Sequence, residues 1–416
     1  MHGQMFPPVA KERFSLWTEE KSRYAHWNKD AALPETADYV IIGSGFAGAS
    51  LAYHLSQETD ASVVILEARE LCSGASGRNG GHLAPNYLPH DPLGEFELRN
   101  YNALFDLIAR NGIDCWTTRD RHAVGWAVLD SPEQFARVEK ELARHTSPGV
   151  ITLWSAQEAQ VQLGLSRPPR GGALSIHSSP INPYRLVHWL VSSALQNSNV
   201  NLYTHAKVGH VTPLSRSGCG ESVAVETDRG TVRARRVILA TNAYTSLIGG
   251  LDPRVQGIEP TRGQLARFEV DAPSLPLNED GRISVGWGDE YIAVVPYRGK
   301  YSYIIGGLRN SVPNGETNVT DDSKINPEIS KHLQTFARDV FNISSPPVEE
   351  WTGIMGFSPT PLVGPLSPNT YICAGFDGHG MSRIFLSAKA TVSHILSNSY
   401  PPWFPKQYQT SSSSKL

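Results

Sequence analysis

The sequence predicts an α/β fold, α+β overall, in which a nucleotide-binding domain is interleaved with a second domain built on an antiparallel sheet. Three stretches carry this reading: a strand, helix and strand over 38–67; the β-branched run Val237-Ile-Leu-Ala-Thr-Asn-Ala243; and Tyr371-Ile-Cys-Ala-Gly-Phe-Asp-Gly-His-Gly-Met381 leading into a helix. Each looks like a buried parallel strand ending in small or polar residues, the place where α/β sheets bind ligands.

The first stretch is the most informative. Tyr39-Val40-Ile41-Ile42 is short and apolar enough for a buried strand, and it runs straight into Gly43-Ser44-Gly45-Phe46-Ala47-Gly48. Ala49, Leu51, Ala52 and Leu55 are spaced to lie on a sheet, and Val63-Val64-Ile65-Leu66 ends in Glu67. This is a Rossmann-like βαβ unit. Gly43 allows the tight turn, Gly45 lets backbone approach a pyrophosphate, and Gly48 lets the helix pack close to the strand, so phosphate oxygens meet free N–H groups and the positive end of the helix. Glu67 can accept hydrogen bonds from two ribose hydroxyls and would repel a 2′-phosphate, which argues against NADP.

At 416 residues the chain should form two domains. The expected division is an arm at 1–36, a discontinuous nucleotide domain at 37–90, 171–257 and 345–400, a substrate domain at 91–170 and 258–344, and a tail at 401–416. Hydrophobic content of 40%, charged content of 19% and net charge −3 are globular values, with no basic stripe for nucleic acid. No apolar run is long enough to span a membrane, and the first residues lack the apolar core of a secretory signal. Cys72, Cys115, Cys219 and Cys373 are far apart and show no metal spacing, so free thiols and no metal are expected. The last three residues, Ser414-Lys415-Leu416, match a peroxisomal address, which predicts an import receptor as partner and a peroxisomal location.

In order, Trp17, Tyr24 and Trp27 should anchor the arm. Cys72 to His82 is a glycine-rich loop suited to lie against a ligand, with Arg78, Asn79 and His82 as its polar contacts. Residues 91–147 should be mainly helical with a strand near 123–128. Ala173 to Ile176 should be a strand, Asn182-Pro183 should open a helix, and Asp228-Arg-Gly should turn a hairpin. Residues 258–310 have β character, 325–342 helical.

Together the βαβ unit with its glycine-rich sequel, the Val237 strand and the Tyr371 segment resemble the FAD-dependent oxidoreductases of the D-amino-acid oxidase superfamily, in particular the sarcosine oxidase and γ-glutamylputrescine oxidase-like branch. The resemblance spans roughly 37–400. It implies FAD as cofactor. Gly43, Gly45, Phe46, Ala47 and Gly48 look like the pyrophosphate loop, Glu67 with Ala68 like the ribose end, and Val208 like a further cofactor contact. Ser76, Arg78, Asn79, Gly80, Gly81 and His82 are similar to the loop along the flavin. Thr241 and Asn242 sit like the strand end near the pyrophosphate. Gly375, Gly378, His379, Gly380 and Met381 fall where the family sets a helix N-terminus against the flavin N1 and O2 edge, where negative charge collects on reduction.

The implied activity is that of an oxidase of an amine or (N-substituted) amino acid: hydride leaves the carbon next to nitrogen, and the products are an imine and, with molecular oxygen, hydrogen peroxide. For a substrate carboxylate Arg309 is the first candidate, with Tyr291, Tyr297 and Trp287 as neighbours, His379 as a further catalytic candidate and Arg262 as the second arginine. Two departures stand out. Ile304 occupies the place of a lysine that assists oxygen in the sarcosine-oxidase subgroup. The stretch Trp351 to Pro359 lacks the cysteine that binds FAD covalently there, and Arg78 stands where a dehydrogenase subgroup uses histidine. Non-covalent FAD is therefore expected, with His82 as the residue that could overturn this. The alternatives are an FAD dehydrogenase using another acceptor and an oxidocyclase of an amine-containing secondary metabolite.

Overall fold

The computed structural model describes residues 15–86, 92–144, 151–165, 167–214 and 222–411. Cys219 and the expected address at 414–416 lie outside them. From the amino end, β1 (Thr36–Ile42), α1 (Phe46–Glu58) and β2 (Val63–Leu66) form the βαβ unit, and the glycine-rich loop ends in β3 (His82–Leu83). Then follow α2 (Pro92–Asn111), β4 (Val124–Val128), α3 (Pro132–Arg144), β5 (Ile151–Trp154) and α4 (Ala156–Leu163). β6 (Ala173–His177) and β7 (Ser179–Pro180) precede α5 (Pro183–Ala194), β8 (Val200–Tyr203), β9 (Val208–Leu214), β10 (Ser222–Thr227) and β11 (Gly230–Leu239). β12 (Glu259–Val270), β13 (Ile283–Trp287), β14 (Glu290–Tyr297) and β15 (Lys300–Gly306) lead to α6 (Pro327–Phe341). β16 (Glu349–Phe357), β17 (Leu362–Ser367), β18 (Thr370–Ala374) and α7 (Gly380–Ser397) complete the order.

Two eight-stranded sheets dominate. The first runs β17-β18-β11-β1-β2-β8, with β9 and β10 folded back from β11. Its β18, β11, β1, β2 and β8 are parallel, which places the tips of β1, β11 and β18 side by side. Alternation along β1 sorts the side chains. Tyr39 and Ile41 join the core under α1, α5 and α7, while Val40 and Ile42 join the core under the β9–β10 hairpin. The predicted turn at Asp228 joins β10 to β11, with Thr227 opposite Gly230. Asn182 caps α5 by accepting from the Arg185 N–H at 3.0 Å, with Pro183 in the first turn, as its sequence requires.

The second sheet runs β16-β12-β15-β14-β13-β4-β6-β5. It is antiparallel except for the β13–β4 pair. It takes in β6 and β16, both assigned to the nucleotide domain on sequence grounds; the run at 173–176 says that it is a strand but not which sheet it joins, and 349–357 was not read as a strand. One face packs on α6 through Phe268, Ile292, Val294, Tyr303 and Ile305. The other carries Leu265, Ala293, Val295, Ile304 and Trp351 into the core shared with α1, α5 and α7. Trp287 lies on the α6 face, its ring edge-on to Phe336 and Phe341, so it is no neighbour of the site.

The arm is anchored as expected by Trp17 and Tyr24, 1% and 8% exposed, whereas Trp27 is 37% exposed. Cys72, Cys115 and Cys373 are free and buried. Among the described residues no helix is long and apolar enough to cross a membrane, and no cluster could hold a metal ion.

Candidate active site

The nucleotide end of the site is shaped by close backbone approach. Gly43 has φ +101°, and a Cβ there would lie 2.8 Å from the Ala240 carbonyl oxygen at the tip of β11. A Cβ at Gly48 would lie 1.9 Å from the Gly43 carbonyl oxygen, so only glycine lets α1 sit this near the turn. Gly45 caps α1, and Ser76 Oγ accepts from the Phe46 N–H at 2.9 Å, fixing the glycine-rich loop to the helix start. Glu67 Oε2 accepts from the Ser44 N–H and hydroxyl at 2.9 and 2.6 Å, and its Oε1 accepts from the Arg69 N–H at 2.9 Å. The acid therefore sits across the mouth of the turn, with Ala68 next to it.

Several predicted contacts have other duties. The Val208 side chain is buried in the core with Val64 and Leu66. Asn242 Oδ1 accepts from the Gly375 N–H at 2.8 Å and ties the tip of β11 to that of β18. Thr241 Oγ1 pairs with Thr245 Oγ1 at 2.8 Å. Arg78 is 5% exposed and donates to the backbone oxygens of Asp322 and Thr352 at 3.1 and 3.3 Å. Its guanidinium also lies 3.5 Å from the Asp322 carboxylate, which Arg69 meets at 2.9 Å. The polarity of Arg78 was legible in the sequence, but its partner, 244 residues away, was not. Asp322 and Arg69 were missed for the same reason: lone charges carry no sign of a shared buried partner.

The rest of the loop faces the second sheet. Asn79 Oδ1 accepts from the Gly81 N–H at 2.8 Å, and a Cβ at Gly80 would lie 2.4 Å from the Tyr291 ring. Both residues directly opposite Tyr291 in the sheet, Gly286 and Gly306, are glycines, which makes room for the ring on the side facing the glycine-rich loop. The His82 ring stands edge-on to it with centroids 5.4 Å apart. Burial pushes the Tyr291 phenol up to about 12, against the pull of Arg309.

Arg309 lies just beyond β15, its guanidinium carbon 4.4 Å from the Phe357 ring centroid. No hydrogen bond or ion pair of its side chain is found among the described residues. Phe357 and Met355 in turn approach Gly378, their Cζ and Sδ lying 3.6 and 3.7 Å from where its Cβ would be. Phe357 and Met355 thus lie near the start of α7, with Arg309 on Phe357 and Tyr291 next to Arg309; Phe357 and Met355 were not read as site residues. Their alternation on β16, facing as Trp351 and Gly353 do, was the available signal.

Two candidates fall elsewhere, and a third, His379, stands exposed at the start of α7. Tyr297 is six residues from Tyr291 on one strand, about 20 Å away, and its hydroxyl donates to Glu19 of the arm. The Arg262 guanidinium is held by buried Glu316 and the Asp321 backbone oxygen, so it ties β12 to the segment between β15 and α6 and is not open to a carboxylate. His379 is exposed at the N-cap of α7, its Nδ1 2.9 Å from the Asp377 backbone oxygen, with Gly380 and Met381 opening the helix. Its side chain makes no capping hydrogen bond to the helix. Ile304 is fully buried opposite Ala293, one step along the sheet from Tyr291.

Comparison with known proteins agrees with this architecture. Residues 38–394 match the family described as FAD dependent oxidoreductase, DAO. The γ-glutamylputrescine oxidoreductase of Escherichia coli K12 is 24% identical over 383 residues, covering 85% of this chain and 82% of its own. Glycine oxidase from Geobacillus kaustophilus superposes with a TM-score of 0.73 at 19% identity, covering 90% of this chain and 98% of its own. An L-amino acid deaminase from Proteus vulgaris gives 0.70 at 19% identity, covering 92% and 95%. With the family match extending over most of the chain and the glycine turn, acid and three strand tips arranged as described, this protein belongs to the DAO family of FAD-dependent oxidoreductases.

Proposed function

We propose that this chain oxidises an amine or an (N-substituted) amino acid at the carbon next to nitrogen, with an imine and hydrogen peroxide as products and molecular oxygen as electron acceptor. FAD, when bound, supplies the hydride acceptor. The cradle of Gly43, Gly45 and Gly48 fits its pyrophosphate, with Glu67 at the ribose; the stretch Trp351 to Pro359 holds no cysteine, which supports non-covalent binding. The observation that carries the substrate reading is the uncommitted Arg309 guanidinium beside Tyr291: a planar fork held over Phe357 suits a carboxylate, and the tyrosine hydroxyl can orient it. Ile304, Leu265 and Trp351 form a dry wall behind them, which keeps water from the reacting carbon. The relatives named for glycine, L-amino acids and γ-glutamylputrescine support the same substrate class.

The test is an absorbance spectrum of the anaerobic holoenzyme before and after N-methyl amino acids, D- and L-amino acids and polyamines, followed by air. Bleaching of the flavin band by one class, with recovery and peroxide in air, is expected. A second reading, a dehydrogenase passing electrons to another acceptor, is favoured by apolar Ile304 at the oxygen-assisting place; bleaching without recovery in air would select it. The location is tested separately. A fluorescent protein fused ahead of the chain is expected in peroxisomes, and the same fusion without residues 414–416 is expected to be diffuse.

A further inference from the structure

His82 belongs to the flavin-side loop by sequence but is turned to the second sheet. Its Nδ1 lies 2.5 Å from Ser284 Oγ on β13, and its ring meets Tyr291 of β14. The other nitrogen, Nε2, is buried and has no hydrogen-bond partner among the described residues. A buried imidazole nitrogen left unpaired costs free energy, so a partner beyond the described residues is implied. Resting on the proposed oxidation of an amine, we infer that His82 is a substrate-contacting residue: with Nδ1–H donated to Ser284, the Nε2 lone pair accepts an N–H of the substrate amine and selects its neutral form.

The surroundings support this role. Burial alone holds the imidazole down to about 4, with no carboxylate acting on it. The groups packed around it are the Ser284 hydroxyl from β13, the Tyr291 phenol from β14, itself raised, and Pro180, its partner on β7. Arg309 is the charged group beyond Tyr291. A cationic ammonium entering here would meet no anion and the field of a guanidinium, whereas a neutral amine meets an acceptor. An amino acid would then span the site, carboxylate on Arg309 and amine on His82, leaving the carbon between them as the one presented for oxidation.

The experiment compares wild-type, His82→Leu and His82→Gln holoenzymes for FAD content, resting spectrum and the anaerobic titration that bleaches the flavin, with sarcosine, glycine and putrescine as probes. The leucine variant should keep FAD and its spectrum but need about ten-fold more amine, consistent with loss of one hydrogen bond at about 1.4 kcal/mol per ten-fold. The glutamine variant, which restores an acceptor, should recover most of that loss. In the wild type, ¹⁵N spectra of the histidines, with His82 assigned by its absence from the glutamine variant, should show it neutral at pH 7 and protonated on Nδ1. Protonation on Nε2, an unchanged titration in the leucine variant, or loss of FAD from it would overturn the inference, the last by giving the contact to the cofactor. A wild type bleached by no amine overturns the functional reading itself, a result distinct from these.

Discussion

Arg309 and Tyr291 show how one residue type acquires a role from its neighbours. The arginine is held by an aromatic face alone, so its fork stays available, while Arg78, Arg69 and Arg262 spend theirs on Asp322, Glu316 and backbone oxygens. Replacing Arg309 by methionine keeps the packing on Phe357 and removes the charge. For a substrate with a carboxylate the KM is expected to rise about 10- to 100-fold, from the 1.5–3 kcal/mol of a charged hydrogen bond, with FAD content unchanged. An amine without a carboxylate should be indifferent to the change. Equal loss on both substrates in steady-state assays would remove Arg309 from carboxylate binding. The residue types of the site were legible in the sequence: His82 was read from the glycine-rich loop, Arg309 from its place after Gly306-Gly307, and Tyr291 as a neighbour of Arg309. Which arginine stays free was not, because that depends on acids more than fifty residues away along the chain.

At the scale of elements, the βαβ unit depends on one contact. With 1.9 Å between a Cβ at position 48 and the Gly43 oxygen, Gly48→Ala must push α1 away from β1 or distort the turn. Purified Gly48→Ala is expected to be colourless or nearly so, and a yellow protein of wild-type FAD content would refute the cradle. The arm is a second element with a task. Ser15 Oγ donates to the Gly77 oxygen at 2.6 Å, and Trp17 Nε1 donates to the Asn79 oxygen at 2.7 Å. The Trp17 ring also fills the space over Gly81, where a Cβ would lie 2.5 Å from it. These residues lie outside the matched span of 38–394 yet hold the loop that carries His82. Trp17→Phe keeps the bulk and loses the N–H, at a cost of about 1 kcal/mol; FAD affinity measured by fluorescence titration should weaken by several-fold. Unchanged affinity would reduce the arm to a cover. Sequence periodicity found α1, α2, α3, α5, α6 and α7 because each has an apolar face or a cap, while β5 and α4 escaped notice, although Ser155 and Glu158 form a capping box at the start of α4.

At the scale of the whole molecule, buried histidines couple stability to pH. His54 and His188 are held down to about 3, and His82 to about 4, in each case chiefly by burial. Unfolding returns them to about 6.5. Below that value the unfolded chain binds more protons than the folded one, so stability is full above about pH 6.5 and is lost as pH falls toward 3–4. Three such groups give a slope of about 4 kcal/mol per pH unit at the steepest. Denaturant midpoints should drop clearly between pH 7 and 5, and His54→Gln should flatten that decline; a midpoint constant over the interval would contradict the neutral state of these rings. The same scale contains the tie between the loop that follows β2 and the loop that precedes α6, where Asp322, 1% exposed in its side chain, meets Arg69 and Arg78.

The sequence by itself determined the nucleotide-binding unit, the α/β class, the cofactor family and the residue types of the site. It could do so because glycine turns, alternation and helix periodicity are local, and because βαβ geometry permits few arrangements. Only the tertiary structure decided that β6 and β16 join the second sheet, that Tyr297 serves the arm, that Arg78 and Arg262 serve buried acids, and that His82 stands against Tyr291 with one ring nitrogen unpartnered among the described residues. Those outcomes depend on which distant partner satisfies each buried polar group, and a sequence read in windows does not carry that information.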